Sequence, residues 1–168
     1  MINVHYSRDS TDVMKRTRGL TVGVDLVDVR EVEAALAAFG DRYVSRVFTR
    51  AEAAYAREAS PETARRLGAR FAAKEAVIKA LRAGEMGINL KAIEVIRAVD
   101  GSCELELSGS ALAAAQSLGI DSLALSMSHQ GDMAAAVVVG ERDLGGRRPP
   151  ALRSKASKRP SPKVERQR

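Results

Sequence analysis

Disulfide stapling is excluded first. The 168-residue chain has one cysteine, Cys103, so no internal bridge can form, and this usage suits a reducing compartment. Tryptophan is absent, and Phe, Trp and Tyr together make up 4% of the chain. That is a thin supply of stacking surface for nucleic-acid bases, and no recognised nucleic-acid motif accompanies it. No apolar run approaches the length of a membrane span. The opening MINVHYSRDSTDVMKRTRG lacks the apolar core of a signal peptide. A cytoplasmic location is expected. Internal repeats are missing too.

What is present is enough for one domain with a core: 45% of the residues are hydrophobic. The net charge of +6 invites a nucleic-acid reading until the charges are located. Residues 147–168 hold nine Lys and Arg against Glu165, a balance of +8, which leaves residues 1–146 near −2. The basic character belongs to the tail RRPPALRSKASKRPSPKVERQR, which has little to bury and is expected to be disordered. Residues 1–18 read as a loose N-terminal extension and 19–146 as the domain.

Within that domain LTVGVDLVDV (20–29) reads as a buried strand and REVEAALAAF (30–39) as a helix stopped by Gly40. DRYVSRV (41–47) reads as a short helix. Thr49 with Glu52 is a capping box that opens a helix over 50–57. Ser60-Pro61 is expected to open a long helix through Leu81. Gly84 and Gly87 punctuate a loop. Residues 92–99 and 104–108 form an expected hairpin around Asp100-Gly101. A helix over 110–119 follows, then a second hairpin of 122–129 and 133–141. Strands in hairpins, without strict strand–helix alternation, predict an α+β fold.

The long helix contains RFAAKEAVIKAL (70–81). At 100° per residue Phe71 and Ile78 lie on one side, and Val77 and Leu81 nearly opposite. A helix apolar on two sides is buried, yet this one keeps Arg70, Lys74, Glu75 and Lys79. Glu75 and Lys79 share a face, as do Arg70 and Lys74. Taken alone, the segment fits structural ion pairing. Asp25, inside an apolar strand, is either a metal ligand or a helix cap or structural pair. Asp25 and Glu75 together suit Mg²⁺, which takes one or two protein carboxylates and binds substrate phosphates at its other positions. Arg70, Lys74 and Lys79 are the complement those phosphates need. Ser126, Ser128 and His129 in SMSH lack a nucleophile elbow, so His129 reads as a structural or phosphate-contacting strand-end residue. His5 and Cys103 have no evident partner in sequence.

The order VGVDLVDV, RVFTRAEAAYA, RFAAKEAVIKAL, GINLKAIEV, LSMSHQGDMAAAVVV over about residues 20–140 resembles the holo-acyl-carrier-protein synthase family of 4′-phosphopantetheinyl transferases. The resemblance implies an α+β fold with antiparallel strands in hairpins around a long buried helix. It implies transfer of phosphopantetheine from coenzyme A to a serine of an apo acyl carrier protein, an acidic protein substrate, with release of 3′,5′-ADP. By the same resemblance Asp25 and Glu75 are the Mg²⁺ ligands, Lys79 lies near the pyrophosphate, and Arg70 and His129 contact coenzyme A. Lys74 belongs to the same motif, and Gly84 to the coenzyme A loop RAGEMGI. Glu75 is then the general-base candidate. Small members form trimers with sites shared between subunits. This chain departs from the pattern in having Asp28 where many members have Glu. It has Glu31 near a commonly basic position, with Arg30 one earlier, and Gly101-Ser102-Cys103 at the first hairpin turn. Two other readings compete: nucleic-acid binding through the tail, and carrier binding without transfer. The presence of Asp25, Glu75 and Lys79 together argues against the second.

Overall fold

The structure is a computed structural model that describes residues 18–58 and 60–143. The expected extension, apart from Arg18, and the expected tail lie outside the described residues, as does His5.

The chain begins with β1 (Arg18–Asp28), whose side chains alternate between two faces. Asp28 ends the strand by capping α1 (Val29–Phe39), its carboxylate accepting from the Arg30 backbone N–H at 2.9 Å. Gly40, at φ 51°, closes that helix in a conformation that side chains disfavour. Then come α2 (Asp41–Val47) and α3 (Arg50–Arg57). The expected capping box is present: Glu52 N–H donates to Thr49 Oγ1 at 3.2 Å, and Thr49 N–H donates to Glu52 at 2.9 Å.

The long helix, α4, runs Thr63–Ala80. The expected start at Ser60-Pro61 is corrected: residues 60–62 are a turn, and Glu62 precedes the helix without a side-chain cap. The far end is as expected, and burial on nearly every side bears out the two-sided apolar pattern. A short 3₁₀ turn, Leu90–Ala92, leads into the hairpin β2 (Ile93–Arg97) and β3 (Cys103–Leu107). After α5 (Gly109–Ser117), β4 (Ile120–Gln130) and β5 (Met133–Asp143) form the second hairpin.

β1, β5 and β4 make one antiparallel sheet in that order, and β2–β3 form a separate pair. The fold is α+β, as expected. α4 lies along the inner face of the larger sheet, against β1 and β5. Its small residues, Ala69, Ala72, Ala73, Ala76 and Ala80, are all buried and allow close approach. Gly23 sets that approach on the strand side: a Cβ there would sit 1.9 Å from the Ala76 carbonyl oxygen. The expectation that this strand is buried is corrected: β1 is an edge strand covered by α4 on its inner face alone, and its outer face carries Leu20, Val22, Val24 and Leu26, which stay 49–64% exposed. Val137 extends this apolar face onto β5.

Candidate active site

The contact at Gly23 decides where two acids meet. Two residues further along β1, Asp25 is also on the inner face, opposite Ala136 in the register. A strand this close to α4 brings Asp25 to the helix surface. There Lys79 Nζ donates to Asp25 Oδ1 at 2.7 Å and to the Val24 carbonyl at 3.0 Å. Lys79 therefore does not pair with Glu75 four residues back, the pair its helical spacing suggested. Glu75 makes no hydrogen bond or ion pair with a described residue. Its carboxyl is held above the usual carboxylate range, by partial burial first and by the Asp25 charge second, with Lys79 opposing. Asp25, Glu75 and Lys79 thus form one cluster, with two carboxylates repelling across a lysine that only one of them holds.

Lys74 is elsewhere. It exposes no surface, and its ammonium lies 2.8 Å from Glu52, which is also fully buried. It donates as well to the carbonyl of Leu90, at 2.9 Å, and to that of Ile93. Glu52 is satisfied in turn by N–H groups of Thr49 and Val95. Burial pulls the Lys74 pKa down and Glu52 opposes that pull. The expectation that Lys74 contacts coenzyme A is corrected on physical grounds: all three ammonium protons have acceptors inside the core. Glu52 was legible as a cap, but nothing in its spacing to Lys74 signalled the pair.

Arg70 and His129 come together in a groove of about 450 Å³ that Tyr55, Arg66, Arg97 and Ser128 also line. Three guanidinium carbons lie over the Tyr55 ring: Arg70 at 4.2 Å, Arg66 at 4.4 Å and Arg97 at 5.8 Å. Arg70 is 4% exposed and its Nε has no hydrogen-bond partner. Burial lowers its pKa. Three converging cations and an orphaned donor are an arrangement able to hold an anion, with His129 exposed at its edge. Arg66 was findable, since it is one turn before Arg70. Tyr55 and Arg97 arrive only through tertiary packing.

The remaining candidates have plainer positions. Gly84 is exposed in the loop after α4, and a Cβ there would meet nothing within 4 Å. Gly87, at φ 61°, is the loop residue whose backbone calls for glycine. Asp28 is engaged by the α1 cap and by Arg30, whose Nε lies 2.9 Å from Oδ1. Those hydrogen bonds from Arg30 hold its carboxyl below the usual range. Nine residues separate Arg70 from Lys79, so they project about 180° apart on α4. One chain presents the carboxylate cluster and the arginine groove in different directions.

Residues 21–138 match a family model described as the 4′-phosphopantetheinyl transferase superfamily. A holo-[acyl-carrier-protein] synthase of Dehalococcoides mccartyi is 40% identical over 122 residues, which span 73% of this chain and 98% of that protein. One of Solidesulfovibrio magneticus is 44% identical over 125 residues, spanning 74% and 98%. Among solved structures, the ACPS–CoA complex of Chronobacterium ammoniagenes superposes with a TM-score of 0.65 at 34% identity. It covers 74% of this chain and 98% of that one.

Proposed function

Since the chain belongs to the holo-acyl-carrier-protein synthase family of 4′-phosphopantetheinyl transferases, we propose that it moves 4′-phosphopantetheine from coenzyme A to a serine of an apo acyl carrier protein. The observation that carries the reading is the Asp25–Glu75–Lys79 cluster, two repelling acids and a lysine held across the Gly23 contact.

In this reaction the serine oxygen bonds to the phosphorus that bears pantetheine. The bond from that phosphorus to the 3′,5′-ADP oxygen breaks, and 3′,5′-ADP leaves with the electron pair. Glu75 takes the serine proton, directly or through a water. Its raised pKa makes it a stronger base than an ordinary carboxylate. Lys79, 53% exposed, can turn from Asp25 to a pyrophosphate oxygen without crossing the core. Arg70 and His129, with Arg66 and Arg97, provide cationic contacts for coenzyme A. The Gly84 loop is a further candidate contact.

The carboxylates suit Mg²⁺ by donor chemistry. Both are hard oxygen donors, and the Asp25 charge that helps hold the Glu75 carboxyl above its usual range would be offset by a divalent cation bound by the two. Among the described residues no group of three or more His, Cys, Asp or Glu gathers in a metal-binding arrangement. A two-carboxylate site leaves positions for water and for substrate phosphate. Bound there, Mg²⁺ would neutralise charge on the pyrophosphate oxygens.

The active assembly in this proposal is a homotrimer with sites completed between subunits. Support comes from the outer face of β1 and β5, where Leu20, Val22, Val24, Leu26 and Val137 form one exposed apolar surface. The opposed directions of the cluster and the arginine groove also support it. Among the described residues no helix is long and apolar enough to cross a membrane, and the single cysteine fits the proposed cytoplasmic location. The test is to mix the chain with coenzyme A, Mg²⁺ and an apo carrier protein and weigh the carrier. A gain of one phosphopantetheine, lost when EDTA is added, is expected; an unchanged carrier mass would refute the reading.

A further inference from the structure

We infer that Cys103 is a redox-modification site, where a small disulfide carrying carboxylates forms a mixed disulfide and closes the arginine groove; this rests on the assignment of that groove to coenzyme A under the transfer reading. The inner row of β3 is Cys103, Leu105 and Leu107, opposite Arg97, Val95 and Ile93 on β2. The row is apolar for two pairs and ends on Arg97 and Cys103, at the groove. There Cys103 is free, part-exposed and in the lining with Arg66 and Arg70. Burial pulls the Arg70 pKa down, and Glu52, Tyr55 and Cys103 oppose the pull, so thiolate and guanidinium interact. The neighbouring acids are turned elsewhere. Asp100 accepts from Ser102 within the turn, and Glu104 lies exposed on the opposite face of the strand.

A thiol alone selects no reagent; the groove does. Arg70 is 4% exposed, and its Nε has no hydrogen-bond partner among the described residues. Arg66 and Arg97 share the Tyr55 ring with it. A donor buried this deeply beside two more guanidiniums calls for a carboxylate or a phosphate. The groove, at about 450 Å³, has room for a small peptide. Glutathione disulfide, used here as the probe, combines that charge with a central sulfur pair. The step is an exchange. The Cys103 thiolate, its proton lost to solvent, attacks one sulfur; the new S–S bond forms, and the old one breaks with its electron pair on the departing thiolate. Cys103 is the chain's only cysteine, so no second thiol converts the adduct into an internal disulfide. The adduct persists until an external thiol removes it, its carboxylates set against the arginines assigned to coenzyme A.

The test treats the full chain with glutathione disulfide or with cystamine, a cationic disulfide, and follows adduct formation by intact mass. Each rate is divided by that of the same chain unfolded in urea, which keeps the basic tail and removes the groove. On this scale glutathione disulfide should modify Cys103 at least roughly tenfold faster than cystamine. The ligand in these measurements is 3′,5′-ADP, which lacks a thiol and so cannot reverse the adduct. It should protect Cys103, and the adduct should weaken its binding, read by calorimetry, at least about tenfold. Dithiothreitol should restore that binding. Cys103→Ser should gain no glutathionyl group, and its affinity for 3′,5′-ADP should be the same before and after treatment.

No adduct, equal normalised rates, or an adduct that leaves 3′,5′-ADP affinity unchanged would overturn the switch. So would a disulfide that links two chains. Carrier modification by the untreated chain would in each case leave the transfer reading intact. If instead the adduct forms with the stated preference and protection, while the untreated chain never modifies a carrier, the switch stands and the transfer reading fails.

Discussion

Two lysines five residues apart on α4 each hold a carboxylate, in opposite surroundings. Lys74 and Glu52 expose nothing, whereas Lys79 is 53% exposed and Asp25 15%. The inner pair is locked by carbonyls and N–H groups on every side. The outer pair has solvent on the lysine side and a second carboxylate without a hydrogen-bonding partner beside it. A buried pair is costly to break and contributes through what its loss would leave behind. An exposed pair contributes little to stability, and its lysine is free to take another anion. One helix thus holds a structural ion pair and an exchangeable one.

That contrast is sharpest in the carboxylates. Asp25→Asn or Glu75→Gln should lower transfer by roughly four orders of magnitude, several kcal/mol in the barrier, while the thermal melt hardly moves. Near-normal turnover of either variant at ordinary Mg²⁺ would break the distinction from the catalytic side.

Glu52→Gln should do the reverse. It strands the Lys74 charge in the core and should cost about 3–5 kcal/mol of stability, read by denaturant titration. Adding Lys74→Met should recover much of that loss, because the pair is then removed as a unit. A double variant no better than Glu52→Gln alone would show that the pair is not the source of the cost.

Lys79→Met comes next. If the lysine meets charge developing in the transition state, kcat falls about a hundredfold, the scale of one electrostatic contact in a water-excluded site. The melt should shift by only a few tenths of a kcal/mol. A variant that melts early and turns over normally would make Lys79 a structural partner of Asp25 and erase the contrast.

Thr49→Ala has the smallest expected effect, about 1 kcal/mol of stability, since it removes the helix cap but leaves Glu52 facing Lys74. A loss as large as that of Glu52→Gln would show that the cap, not the ion pair, holds Glu52 in place.

The sequence carried much of this, and the exceptions share a cause. Periodicity and turn residues located every helix and strand of the described region, and the capping box at Thr49 and Glu52 was readable from four residues. The start of α4 was not, because Ser60-Pro61 has the composition of a helix start and of a turn alike. Helical spacing offered Glu75 as the partner of Lys79, yet the partner is Asp25, 54 residues away. Local spacing lists which charges are able to meet, and long-range packing chooses among them. The same holds for Lys74, whose partner lies on another helix, and for Tyr55 and Arg97, which join Arg70 only when β2 and α3 fold against α4.

The Gly23 contact has a mechanical consequence. In the proposed metal site Asp25 and Glu75 would be the jaws of a clamp, with Gly23 the shim beneath one of them, already at its minimum thickness. A methyl group there would have to push past a carbonyl oxygen now 1.9 Å from its place, so the strand would lift and the jaws would part with every ligand unchanged. The gap between the acids, and with it the size of cation that the proposed site would grip, would therefore be set by a residue that offers no side chain to metal or substrate.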